Sequence, residues 1–184
     1  MPQEAIQSIR VVAPNQESVH DAGVTDQVVA LFDHMRGRLL RYCVSLRLPA
    51  QDGEEIIQEA FLALFRHLKG GKPRHNLPAW MFQVTHNLAL KRREQDRRRR
   101  QNLIGRRSEV SHWPNPETEF LANQRRARLW NVWQALPEHD RLCLALRAEG
   151  LTYREIAQVL DTSLAGVSIC IARSLARFAR ADQR

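Results

Sequence analysis

Residues 151–178, LTYREIAQVLDTSLAGVSICIARSLARF, predict two short helices joined by a tight turn. Thr152 stands just before the first helix and Glu155 follows three residues later, which is the spacing of a capping box. The turn begins at Asp161, and Ser163 is placed to cap the second helix. Two capped helices with a three-residue turn are typical of a DNA-reading helix-turn-helix. A three-helix bundle with a tight turn would give the same pattern.

The second of these helices has an outward face with little charge. Its predicted buried stripe, at steps of three and four, consists of Leu164, Val167, Ile171, Leu175 and Phe178. Its predicted outward positions are Ala165, Ile169, Ala172, Arg173 and Ala176. Only arginine on this face makes strong phosphate or guanine contacts, whereas alanine and isoleucine can touch thymine methyl groups. We therefore expect weak DNA binding by this helix alone, and a second tethered domain would compensate by raising the effective concentration.

Composition favours a folded, basic protein. The 184 residues carry a formal charge of +8, mostly through arginine, which favours a polyanionic partner such as nucleic acid. The three cysteines form no CxxC pair and the histidines lack metal-ligand spacing, so we expect buried free thiols and no metal site. No apolar run is long enough to cross a bilayer, and the first residues do not resemble a signal peptide. These features predict a cytoplasmic protein with no membrane insertion.

The remaining sequence predicts further helices and no strands. One helix ends at Pro49, a second has Asp52 as its N-cap with Glu55 completing a capping box and stops at Gly70, and a third starts at Pro78. We predict an all-α fold of two small helical domains joined by a flexible linker, with the helix-turn-helix in the second domain. The predicted divisions are a flexible leader at 1–25, a first domain at 26–96, a basic, proline-containing linker at 97–120 and a second domain at 121–184. The arginine run of the linker is either a solvated charge run or a nucleic-acid contact.

Three segments, in this order, resemble the bacterial sigma factors of RNA polymerase, in the extracytoplasmic-function (ECF) branch of the sigma-70 family. Residues 52–68, DGEEIIQEAFLALFRHL, resemble the polymerase-binding helix of the family. Residues 77–93, LPAWMFQVTHNLALKRR, resemble the segment that reads and opens the minus-ten element of the promoter. Residues 135–163 resemble the reader of the minus-thirty-five element. The resemblance runs from about residue 28 to residue 178.

The resemblance implies roles for particular residues. The implied polymerase-binding residues are Asp52, Glu55, Gln58 and Glu59. The implied minus-ten residues are Lys72, Arg74, Asn76, Trp80, His86, Asn87, Lys91 and Arg92. The implied minus-thirty-five residues are Arg154, Ser163, Ser168, Ile169 and Arg173. Two alternatives stay open: Asp52 could serve only as a helix cap, and Trp80 also fits an apolar stripe with Val84 and Leu88. The chain departs from the family at Lys91, where an acidic residue is frequent, and near Ser168 and Cys170, where basic residues are frequent.

The function implied by the resemblance is recognition without catalysis or a cofactor. The expected partners are core RNA polymerase, promoter DNA in duplex and single-stranded form, and an anti-sigma factor. One alternative is a stand-alone helix-turn-helix regulator that binds a palindromic operator. The other is an enzyme acting on nucleic acid. The sequence offers no Gly-rich phosphate loop, metal-ligand cluster or nucleophile–base pair to support that second alternative.

Overall fold

The computed structural model describes residues 16–73, 75–102 and 120–183, and these residues form seven α-helices and no strand. The helices are α1 Gln16–Ser45, α2 Ala50–Lys69, α3 Leu77–Asn102, α4 Phe120–Ala135, α5 Glu138–Ala148, α6 Tyr153–Val159 and α7 Leu164–Asp182. The all-α prediction is confirmed. Helices α1 to α3 form the first half of the molecule and α4 to α7 the second.

The first half packs its three helices around one another. Met35, Tyr42 and Phe82 are fully buried, and the rings of the last two meet edge to face at 5.6 Å. Helices α1 and α2 approach closely at Gly53, where an added Cβ would lie 3.3 Å from the Cβ of Cys43. This approach buries the apolar stripe of α2 against α1 and fixes the direction of its outer, acidic face.

The second half contains the predicted helix-turn-helix. Thr152 and Glu155 exchange both hydrogen bonds of the capping box, and Ser163 Oγ accepts from the backbone N–H of Gly166 at 3.0 Å. Helices α6 and α7 meet at 105°, within the range of helix-turn-helix units. Asp161 takes a positive φ of 48° in the turn between them. The predicted capping of both helices is confirmed.

The predicted buried stripe of α7 is partly wrong. Val167 and Ile171 are buried as expected, but Leu164 and Leu175 are 54% and 53% exposed. Cys170 and Ser174 are buried beside the first two instead. The steps between 167, 170, 171 and 174 still follow helical periodicity, so the buried face is rotated rather than absent. It is rotated because α5 packs against the side of α7 that carries Cys170.

Element boundaries also differ from the predictions. Helix α2 begins at Ala50 with Pro49 at its N-cap and no side-chain cap, so the prediction that Asp52 is the cap is wrong. The Asp52 carboxylate lies in the first turn and accepts a hydrogen bond from Arg92 instead. Helix α1 begins inside the predicted leader, and α3 extends to Asn102, inside the predicted linker. Residues 1–15 of that leader and 103–119 of that linker lie outside the described residues.

The two halves are in direct contact. Helix α5 packs against α1, and α6 packs against α3, so that buried residues of both halves form one apolar cluster. Arg141 of α5 is 3% exposed and joins the two halves. Its Nε donates to the Ser45 carbonyl at 2.8 Å, and its Nη1 donates to the Leu136 carbonyl at 3.1 Å. Burial lowers the pKa of this guanidinium.

The capping box of α6 provides a test of local stability. Replacing Thr152 with alanine removes the acceptor for the Glu155 N–H, and we expect the free energy of unfolding to fall by about 1 kcal/mol. Chemical denaturation followed by circular dichroism would measure this change. Ser168→Ala is the matched control, since Ser168 is exposed within α7, and it should change stability by less than about 0.5 kcal/mol. If both substitutions lowered the free energy of unfolding equally, the loss could not be assigned to the cap of α6.

Candidate nucleic-acid interface

Helix α3 carries a stripe of polar and aromatic side chains at steps of three and four. Asn87 and Lys91 on this stripe are exposed, whereas Gln83 and Trp80 are partly covered. The Trp80 ring lies 4.5 Å from the ring of His67 and also packs against the core. Trp80 therefore combines both predicted environments, since one side contacts apolar neighbours and the other lines a cleft.

That cleft lies between α3 and α6 and has a volume of about 530 Å³. Its walls include Asn76, Trp80 and Gln83 from the first half and Arg154 and Glu155 from the second. Asn76 Nδ2 donates to Glu155 Oε1 at 2.7 Å across it. The structure thus brings the predicted minus-ten residues Asn76 and Trp80 next to Arg154, a predicted minus-thirty-five residue. Lys72 is exposed in the preceding loop, and Arg74 lies outside the described residues.

His86 does not lie on this surface. It is 7% exposed, and its Nδ1 shares a 2.8 Å hydrogen bond with the hydroxyl of the fully buried Tyr42. Burial lowers the pKa of His86 and so favours the neutral ring. This placement argues against the predicted DNA contact, and His86 is a packing residue. The contact was implied by the position of His86 in the resembling segment, and such a match does not show that this side of α3 faces α1.

The four predicted polymerase-binding residues of α2 divide into two groups. Asp52 and Glu55 bind the guanidinium of Arg92 at 2.8 and 2.6 Å. Hydrogen bonding to Arg92 lowers the pKa of Glu55. Gln58 and Glu59 are exposed on the same helix. The structure therefore pairs two predicted polymerase-binding residues with a predicted minus-ten residue and leaves the other two polymerase-binding candidates facing solvent.

The predicted minus-thirty-five residues are spread over α6 and α7. Arg154 and Ser168 are exposed, and Ile169 is 61% exposed. The Ser163 hydroxyl is occupied as the cap of α7. Arg173 binds the buried carboxylate of Asp140 through two hydrogen bonds, at 2.8 and 2.5 Å, while half of its side chain stays exposed. Arg173 lowers the pKa of Asp140, and this ion pair between α5 and α7 was not foreseen from the sequence.

Ionic contacts between the two halves were also missed. The Glu149 carboxylate receives Arg41 at 2.7 and 2.9 Å and Arg38 at 3.3 Å. Glu138 of α5 pairs with Arg93 of α3, and this contact lowers the pKa of Glu138. These partners lie 45 to 111 residues apart in the sequence, beyond the reach of local spacing.

Two family profiles match the chain in the order of these halves. Residues 31–99 match Sigma-70 region 2, and residues 126–178 match Sigma-70 region 4. Together they span about two thirds of the chain. The chain belongs to the sigma-70 family. Region 2 of this sigma factor contains α2 and most of α3, and region 4 contains α5, α6 and most of α7.

Individual relatives place the sigma factor in the ECF branch. It is 28% identical to the ECF RNA polymerase sigma-E factor of Escherichia coli (strain K12) over 144 residues, which are 71% of this chain and 74% of the relative. It is also 28% identical to the ECF RNA polymerase sigma factor SigE of Mycolicibacterium smegmatis over 161 residues, 84% of this chain and 62% of the relative.

Solved structures agree on the fold. The sigma factor RpoE in complex with the anti-sigma factor NepR from Bartonella quintana matches with a TM-score of 0.67 and 16% identity, covering 86% of this chain and 96% of that one. The structure of CnrH in complex with the cytosolic domain of CnrY matches with a TM-score of 0.58 and 21% identity, covering 89% and 92%.

The buried His86 predicts a pH dependence of stability. Its folded-state pKa is lowered, so below the unfolded value of about 6.5 the unfolded chain binds more protons at this site. Burying the neutral His86 ring therefore stabilises the fold fully above this pH. The free energy of unfolding falls as the pH drops towards the folded-state pKa, by at most about 1.4 kcal/mol per pH unit.

His86→Asn should reduce this slope, because the amide oxygen can replace Nδ1 opposite Tyr42 without titrating. Denaturant unfolding of both proteins between pH 7.5 and 5.5 measures the difference. His34→Gln, at an exposed histidine of α1, is the control and should leave the slope as in the unaltered protein. An unchanged slope in His86→Asn would contradict the role assigned to burial.

Proposed function

We propose that this ECF sigma factor binds core RNA polymerase, directs it to specific promoters and helps to open the minus-ten region. The observation that carries this proposal is one chain with a polar and aromatic stripe on α3 in region 2 and a capped helix-turn-helix in region 4. Sigma factors are not enzymes in general, and we propose that this one acts through recognition alone. Its site of action would be the cytoplasm. Within the described ranges, no single helix is long and apolar enough to cross a membrane; only α6 and α7 together pass that test, across their 105° bend.

Polymerase binding is proposed for the outer face of α2. Gln58 and Glu59 face solvent there, beside Asp52 and Glu55 in their pairs with Arg92. A carboxylate-bearing helix face complements a basic surface on a partner and sets the register of the complex. Because Arg92 already neutralises part of this face, Glu59 is expected to contribute most to the attraction.

Minus-ten binding is proposed for the stripe of Trp80, Asn87 and Lys91 together with Lys72 and Asn76. Unstacked bases bind proteins by stacking on aromatic rings and through contacts of the backbone with a basic groove. Trp80 borders the cleft and offers a ring, while Lys72 and Lys91 offer exposed cations. Arg92 is less available, since two carboxylates hold it.

Minus-thirty-five binding is proposed for α6 and α7. Ile169 and the exposed alanines of α7 suit contacts with thymine methyl groups, and Arg154 suits phosphate or guanine. Arg173 is less available for such a contact, since Asp140 holds it. A surface with so few cations binds duplex DNA weakly, so attachment to polymerase through region 2 would supply most of the affinity. The same feature disfavours the alternative of a stand-alone operator-binding regulator.

Promoter binding requires the two halves to separate. The two promoter elements are about 25 base pairs apart, which corresponds to about 85 Å of duplex. Asn76 and Glu155, on the two proposed DNA-reading halves, are joined by a 2.7 Å hydrogen bond. The arrangement described here is therefore a closed form, and we propose that polymerase or DNA binding opens it.

An anti-sigma factor is the proposed regulator. The solved structure of RpoE contains the anti-sigma factor NepR. By analogy, such a protein would bind the surfaces proposed here for polymerase and DNA and so compete with both.

Transcription by sigma-free core polymerase tests the proposed function. Fragmented genomic DNA is transcribed with and without the protein, and transcript starts are sequenced. New starts with shared upstream elements are expected. If none appear and the protein fails to co-purify with polymerase, the stand-alone regulator takes precedence, and tight binding to a palindromic duplex would then be sought.

Charge reversal on α2 tests the polymerase surface. Glu59→Lys should weaken core polymerase binding by about tenfold or more, because a like charge then faces the basic partner. Asp33→Lys makes the same charge change at an exposed position of α1 and should leave affinity within about twofold of the unaltered protein. Binding is measured by fluorescence anisotropy of labelled sigma factor. Equal losses in both variants would show that net charge, not the α2 face, determines the affinity.

Charge reversal at Glu149 tests the closed form. Glu149→Lys removes the acceptor for Arg38 and Arg41, while a lysine at the C-terminal end of α5 suits the helix dipole. A compact chain of this length has a radius of gyration of about 16 Å, and we expect the variant to exceed the unaltered protein by about 2 Å or more in small-angle scattering. Glu94→Lys reverses a charge whose partners among the described residues, Arg97 and Arg98, both lie in α3, and it should leave the radius unchanged. An unaltered radius in Glu149→Lys would show that the remaining contacts, among them Arg141 with Ser45 and Glu138 with Arg93, suffice to hold the halves together.

A further inference from the structure

Helices α5 and α7 bring one imidazole and two thiols together on the side of the helix-turn-helix that faces α5. His139 Nδ1 lies 3.2 Å from Cys170 Sγ and 3.8 Å from Cys143 Sγ. All three atoms lie within 4.8 Å of one another. His139 and Cys143 are four residues apart on α5 and therefore share one helical face, while Cys170 comes from α7.

From this geometry we infer that His139, Cys143 and Cys170 form a binding site for a thiophilic cation of the Zn²⁺ class. Zinc bonds of about 2.3 Å to sulfur and 2.0 Å to nitrogen place neighbouring ligand atoms of a tetrahedron about 3.5 to 3.8 Å apart. The observed separations need only small side-chain adjustments to reach these values. Two thiolates with one imidazole select zinc and other soft or borderline ions over magnesium or calcium.

The surroundings of the three residues suit such an ion. Cys143 and Cys170 are buried, which excludes bulk water from the sulfur side. His139 is exposed and leaves a path from solvent, through which water can complete a tetrahedral shell as the fourth ligand. The next residue, Asp140, is buried and carries a carboxylate that neighbours Cys170 and is held by Arg173. Arg173 balances the charge of this carboxylate, and its Nη2 lies 3.7 Å from Cys170 Sγ, so the two thiolates would supply the negative charge that holds the ion.

No metal site was expected from the sequence. A histidine and a cysteine four residues apart on a predicted helix were the available signal, but the third ligand lies 27 residues beyond Cys143 and is brought close only by the packing of α7 on α5. A bound ion would cross-link these helices. Cys170 is adjacent to Ile169 on the proposed DNA face, so the ion would fix the position of that face relative to α5.

Cobalt and zinc titrations test this inference on the full chain. The protein is reduced, stripped of metal with a chelator, desalted and titrated with Co²⁺. We expect one Co²⁺ per chain, with sulfur-to-cobalt charge-transfer absorption and the intense ligand-field bands of a tetrahedral centre. Stoichiometric Zn²⁺ should remove both signals. One Zn²⁺ should also raise the midpoint of thermal unfolding of the unaltered protein, since it binds the folded state.

Single substitutions distinguish the proposed site from adventitious binding. Cys143→Ser and Cys170→Ser should each reduce the charge-transfer intensity and weaken Zn²⁺ binding by about tenfold or more. Cys43→Ser is the matched control, because it removes a buried thiol in the first half and should retain the full signal. His139→Gln changes an exposed residue, so it should fold normally, keep the sulfur absorption and still lose about tenfold in affinity.

Three results would overturn the inference. The first is Zn²⁺ affinity that is unaffected by all three substitutions. The second is an equal loss in Cys43→Ser. The third is a disulfide between Cys143 and Cys170 in place of a metal site. Mass spectrometry of the unreduced protein would then show a mass lower by two hydrogens and a proteolytic fragment that joins the two cysteines, and the reduced protein would bind no Zn²⁺.

Discussion

The buried guanidinium of Arg141 is the contact on which the arrangement of the two halves depends. It satisfies the Ser45 carbonyl at the end of α1 and the Leu136 carbonyl just before α5, so it links both halves through backbone groups. Burying a cation costs free energy unless its N–H donors have acceptors. The interface is therefore stable only in an arrangement that keeps these acceptors next to Arg141. A displacement of α5 from α1 would leave the Ser45 carbonyl without its donor and the Arg141 Nε without its acceptor. This hydrogen bond therefore fixes the position of α5 relative to α1, and the other contacts between the halves are made in that arrangement.

Helix α5 consequently has two different faces. Towards the first half, Glu138 pairs with Arg93, and Glu149 at its end receives Arg38 and Arg41. Towards α7, the buried carboxylate of Asp140 holds Arg173. That ion pair accompanies the rotation of α7 from the predicted stripe, in which the side of the helix that carries Cys170 and Ser174 is buried and Leu175 is turned outward. Leu164, Ile169 and Leu175 are exposed because this packing turns the opposite side of α7 towards the core.

Local patterns in the sequence predicted the helices well, but contacts between residues far apart in the sequence could not be predicted from them. The capping residues Thr152 and Ser163 were read correctly because each cap depends on residues within three positions. Asp52 was misassigned because α2 begins at Ala50, which places Asp52 inside the first turn, and its partner there, Arg92, lies 40 residues away in the sequence. The DNA contact implied for His86 came from its position in a resembling segment, and such a match does not show that α1 covers this side of α3. The region 2 and region 4 order was recognisable because whole segments, rather than single residues, carried the resemblance.

The two faces of α5 also connect the proposed cation site with the proposed opening of the molecule. His139, on the cation face, stands between Glu138, which reaches α3, and Asp140, which reaches α7. A helix of 11 residues transmits displacement as a nearly rigid unit, since its backbone hydrogen bonds resist bending. An ion that fixes α7 to α5 would therefore hold α7 in one orientation relative to Glu138, Arg141 and Glu149, through which α5 meets the first half. The recognition surface and the interface between the two halves would thus be linked through one short helix, although neither proposed DNA-reading surface includes it.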